Sequence, residues 1–82
     1  MSRFVTSEAY NVYIGQIPDA PEEVVSYQDL LVRMQLSKRG GLVIGVRTPD
    51  GAEIINPRKD FVIEPGTLLI YLAEEPLLEP PP

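Results

Sequence analysis

Eighty-two residues make one domain that buries only about 60% of its unfolded surface, which excludes a large internal active site. Aliphatic and aromatic residues make up 44% of the chain, enough for one modest core; cysteine and histidine are both missing, which removes disulfides, thiolate chemistry, the usual general base and the commonest metal ligand. A net charge of −5 argues against nucleic-acid binding, and neither a signal pattern nor a run of roughly 18 apolar residues is present, so a soluble chain without direct membrane insertion is expected.

Residues 1–10 read as an N-terminal extension. Residues 11–17 then alternate, with Val12, Ile14 and Gln16 on one face and Tyr13 and Gly15 on the other, and Pro18 closes this first strand. Pro21 followed by Glu22 and Glu23 suits an optional helical turn. Ser26 is a good N-cap, with Asp29 three residues on. Tyr27, Leu30, Leu31 and Met34 recur at helical spacing and predict a helix over about 27–38, stopped by Gly40 and Gly41. Residues 42–46 are apolar on both faces and predict a central strand, with Gly45 at a point of close packing. Pro49-Asp50-Gly51 turns the chain into a hairpin partner at 52–56. Phe61, Val62 and Ile63 are expected to pin the following loop to the core, Glu64-Pro65-Gly66 to form a type II turn, and residues 67–72 to form the last strand. The order is strand, helix, strand, strand, strand: an α+β fold in which a small mixed or antiparallel sheet of about four strands carries one main helix. No internal repeat is visible. With four prolines, residues 75–82 read as a flexible tail beyond a domain spanning 11–74.

Catalytic constellations are weak. Glu22-Glu23 and Glu74-Glu75 are adjacent carboxylates that point apart, Ser26 is accounted for as a cap, and Asp50 with Glu53 falls short of a calcium loop. A small enzyme is the least supported reading, because no nucleophile stands with a base. Charge distribution is more informative: residues 33–59 hold six basic side chains against Asp50 and Glu53, a local balance of +4 in an acidic chain. Solvated side chains offset by acidic neighbours would explain this; so would a site for a small anion. The candidate ligand-binding residues are Arg39, the Gly40 and Gly41 amides, Arg47, and the turn of Asn56, Pro57 and Arg58, whose guanidinium fork suits phosphate or carboxylate. A helix cap accounts for the two glycines equally well, and a strand end for Pro57.

Three stretches carry a family resemblance: Ile54-Ile55-Asn56-Pro57, Asp60-Phe61-Val62, and Glu64-Pro65-Gly66-Thr67-Leu68-Leu69-Ile70. In this order they resemble the TrkA-C domain, the C-terminal lobe of the RCK regulatory modules of potassium channels and potassium transport systems. Thr67 stands where the family usually has aspartate. Glu23-Val24-Val25-Ser26-Tyr27 stands where it has Gly-Lys-Ser/Thr-Leu. The resemblance implies a cytoplasmic, non-enzymatic regulatory module that forms a homodimer within a channel or transporter and senses a small ligand such as a nucleotide or cyclic dinucleotide. A purely structural dimerisation module without ligand is the alternative.

Overall fold

The computed structural model describes residues 10–18 and 25–82; most of the expected N-terminal extension and the optional turn at 21–23 lie outside the described residues. The elements are β1 (Asn11–Gln16), β2 (Val25–Ser26), α1 (Tyr27–Met34), a 3₁₀ turn (Leu36–Arg39), β3 (Leu42–Arg47), β4 (Glu53–Ile55), β5 (Val62–Ile63) and β6 (Leu68–Ala73). Four strands form one sheet in the order β1-β6-β3-β4, every neighbouring pair antiparallel. This is the expected α+β arrangement, and the sheet is antiparallel rather than mixed.

Cap and turn chemistry set the element ends. Ser26 holds extended backbone, and its hydroxyl accepts the Asp29 N–H at 3.1 Å, opening α1. The helix is shorter than the sequence pattern predicts. Gln35 enters the left-handed region at φ 46 and breaks it, and the chain continues as the 3₁₀ turn until Gly40, at φ 87. Packing gives the reason: on a continued helix Leu36 would lie about 120° round from Leu30, whereas the break returns Leu36 to the core at 3% exposure. The Pro49-Asp50-Gly51 hairpin turn forms as expected. So does the turn before β6, where Gly66 takes φ 92 and the Thr67 N–H donates to the Glu64 carbonyl at 3.1 Å.

The loop after Pro57 is more ordered than pinning alone requires. Its β5 pairs with β2 as a second, two-stranded sheet, while the Tyr27 N–H donates to the Phe61 carbonyl and the Gln28 N–H to that of Lys59. Ile63 is the true anchor at 1% exposure; Phe61 is half-buried against the core and Val62 is exposed.

Alternation along β6 divides the sheet into two unlike faces. Leu69, Tyr71 and Ala73 point into the main core with Val46, Leu30, Tyr27, Leu36 and Ile63, and burial raises the Tyr27 phenol above its ordinary pKa. Tyr13 packs beside Tyr71 with ring centroids 5.6 Å apart. The same face receives residues 75–82. These were expected to form a flexible tail; instead the fold extends beyond Glu74, with Leu77 half-buried and Leu78 only 8% exposed in the core. Burying a leucine contributes about 2 kcal/mol toward ordering this proline-rich segment.

Candidate functional site

The seven candidate ligand residues do not converge. Arg39 and Gly40 lie just before β3, whereas Arg47 ends that strand, roughly 16 Å from Leu42 at about 3.3 Å per residue. Arg47 is also neutralised, because its guanidinium meets the Glu53 carboxylate at 2.5 Å across the β3–β4 pair. Arg58 is highly exposed, with its Nε 3.6 Å from Asp60. Pro57 is buried, and Asn56 takes a left-handed turn at φ 54 while its N–H donates to the Ile44 carbonyl at 2.8 Å.

Nor are the two glycine amides free for an anion. The Gly40 N–H donates to the Ser37 carbonyl at 3.3 Å and the Gly41 N–H to that of Leu36 at 3.1 Å, as caps of the 3₁₀ turn. Gly41 has a packing reason instead: a Cβ there would lie 2.8 Å from Leu77 and 3.0 Å from Leu36. Arg39 does border a recess of about 270 Å³ beside Gly40 and Leu77, but Glu74 and Glu75 line the same recess and weaken its attraction for an anion. Among the described residues no group of three acidic, histidine or cysteine side chains is placed to hold a metal.

The opposite face of the sheet is the more distinctive surface. Register aligns three rows across it: Val12, Leu72 and Leu42; then Ile14, Ile70, Gly45 and Ile55; then Gln16, Leu68, Arg47 and Glu53. The first two rows are apolar and the third ends in the Arg47–Glu53 pair. Val12, Leu42 and Ile55 are about 60% exposed. Gly45 lets Ile55 lie flat over its neighbour, since any Cβ there would strike the Ile54 carbonyl and the Ile55 side chain. Beside the first row, Leu42 and Leu72 continue into an apolar recess of about 390 Å³ reaching Tyr10, Ser37 and the two glycines. The helix and residues 77 and 78 join the core on the other side; among the described residues this face carries exposed Val12, Leu42 and Ile55 beside half-buried Ile14 and Leu72 and buried Ile70.

Comparison of the chain with protein-family models, with curated proteins and with solved structures gives no significant match. Functional chemistry therefore rests on the residues themselves. Sequence patterning had one signal for the open face, the apolar character of residues 42–46 and 68–72 on both sides. It had none for the rows, which exist only once the register is set.

Proposed function

We propose that this domain is a non-enzymatic, TrkA-C-like regulatory module that pairs with a second copy of itself in the cytoplasmic part of a potassium channel or potassium transport system. The observation that carries the pairing is the aliphatic sheet face on which Val12, Leu42 and Ile55 stand exposed around half-buried Leu72 and buried Ile70. The antiparallel strand order and the turn at Gly66 support the family reading. At the family's aspartate position Thr67 is 5% exposed, where an uncharged side chain avoids the cost of burying a carboxylate.

A second copy suits this face better than an unrelated partner because the surface is self-complementary. A twofold axis through the Ile14–Ile70–Ile55 row sets aliphatic rows against each other, and Arg47 and Glu53 supply both signs of charge at the rim. Two sheets packed in this way form a sandwich with an interior about 10 Å thick. Regulation follows if two arrangements of the pair differ in energy and a signal stabilises one of them, biasing the attached gate.

The ligand-free form of this reading, a purely structural pairing module, is favoured by a specific observation: the Gly40 and Gly41 amides and the Arg47 guanidinium already have partners. Sedimentation equilibrium tests the pairing. A dimer is expected in the micromolar range, and Leu42→Lys with Val12→Lys should convert it to a folded monomer. A parent chain that stays monomeric and non-aggregating at high micromolar concentration overturns it. Calorimetric titration with nucleotides and cyclic dinucleotides, comparing the parent with Arg39→Glu, separates the two forms: binding lost in the variant favours an effector at Arg39, and no binding leaves the structural module.

A further inference from the structure

The C-terminal segment is held through its backbone as well as through the packing of Leu77 and Leu78. The N–H groups of Leu77 and Leu78 both donate to the Tyr71 hydroxyl, at 2.9 and 3.1 Å. Arg39 Nη2 donates to the Leu77 carbonyl at 3.0 Å, the Gln16 N–H to the Glu79 carbonyl at 2.8 Å, and Gln16 Nε2 to the Pro80 carbonyl at 2.7 Å. Five bonds thus read four consecutive residues. The two leucine side chains lie against glycines: a Cβ on Gly41 would lie 2.8 Å from Leu77 Cδ1, and one on Gly15 would lie 2.6 Å from Leu78 Cβ.

A groove with main-chain partners along its length and a notch for each of two adjacent leucines has the features of a peptide site, in which backbone bonds give affinity and side-chain pockets give selectivity. The occupant is tethered but not woven in. It is no strand of either sheet, and Pro80, Pro81 and Pro82 have no N–H with which to extend the pairing along β1. We propose that residues 77–80 form a detachable strap in a groove lined by Gly15, Gln16, Arg39, Gly41 and Tyr71, and that this groove, once open, takes the same Leu-Leu segment from a second copy of the chain. The inference is independent of the sheet-face pairing, which uses the other side of the sheet.

In the parent chain the strap's high effective concentration, of millimolar order for a short tether, keeps the groove filled. The test therefore weakens the strap and leaves the groove intact. Full-length chain carrying Leu77→Asp and Leu78→Asp is titrated with a fluorescein-labelled peptide of sequence EPLLEPPP, and anisotropy is followed. Saturable binding is expected, at least tenfold tighter than to the parent chain and lost when Gly15→Ala is added. Absence of binding to a folded double variant overturns the proposal, as does binding indifferent to Gly15→Ala. Should the double variant fail to fold, hydrogen exchange on the parent chain decides. The Leu77, Leu78 and Gln16 amides are expected to exchange together and at least tenfold faster than the Leu69 and Tyr71 amides; exchange of all five at one common rate means that the strap opens only with the whole fold, and the proposal fails.

Discussion

Leu78 sits directly on Gly15, so closely that a single methyl group on residue 15 would lie 2.6 Å from the Leu78 Cβ. The two positions are 63 apart in sequence, and together they fasten the C-terminus to the first strand. Gly15 is not needed for a left-handed backbone, because its φ lies outside that region. Room for Leu78 is its role. Gly15→Ala should therefore destabilise the chain by about 1–3 kcal/mol through overpacking, although alanine is the better residue on propensity alone. Urea melts check this, and a variant as stable as the parent would mean that Leu78 can shift without cost.

Tyr71→Phe isolates the hydroxyl that accepts two strap amides. Ring packing against Tyr13 is kept, while the Leu77 and Leu78 N–H groups lose their acceptor. The expected loss is about 1–3 kcal/mol, the cost of leaving buried or half-buried donors unsatisfied. Thermal melts measure it, and faster amide exchange at residues 77 and 78 assigns it to the strap.

Ile63 and Phe61 should separate in rank. From residue size alone Phe61→Ala is expected to cost about 3 kcal/mol or more, but Phe61 is only half-buried and Ile63 is sealed at 1% exposure. Ile63→Ala should cost about 2–5 kcal/mol and exceed Phe61→Ala. Paired denaturation curves with equal slopes would establish the order.

Gly66→Val places a β-branched residue at φ 92. No core contact is lost, because a Cβ there meets only Pro49, at 3.5 Å. The expected loss of about 1–3 kcal/mol is backbone strain. Gly66→Asn, which tolerates positive φ better, should recover part of it.

At the β3–β4 turn, the Thr48 hydroxyl donates to the Asp50 carboxylate and the Ala52 N–H adds a second bond at 3.4 Å, which together hold the Asp50 pKa below its ordinary value. A depressed folded-state pKa means that the ionised carboxylate favours the fold. Its contribution is complete above the unfolded value of about 4 and is lost as pH falls further. Melting temperature measured from pH 6 downward should fall less steeply in Thr48→Val than in the parent below that point. Parallel profiles would show that the turn does not feel the carboxylate.

Sequence patterning by itself determined the elements and their punctuation. Ser26 as a cap, the Asp50–Gly51 hairpin, the turn at Gly66 and the apolar strand at residues 42–46 are local, set by backbone torsion and by hydrogen bonds spanning a few residues, so they can be read without knowing the fold. Three features were decided only by tertiary structure. The helix ends at Met34 rather than Lys38 because Leu36 has to reach a core whose position no local pattern contains. Residues 75–82 looked like a tail because proline removes donors, yet the groups that fix them, the Tyr71 hydroxyl as acceptor and the Gln16 N–H as donor to the Glu79 carbonyl, come from strands elsewhere in the chain. The candidate anion residues stand apart for the same reason: Arg39 and Arg47 are close in sequence, but an extended strand lies between them, while antiparallel register gives Arg47 to Glu53 and assembles the row of Val12, Leu72 and Leu42 from three distant segments.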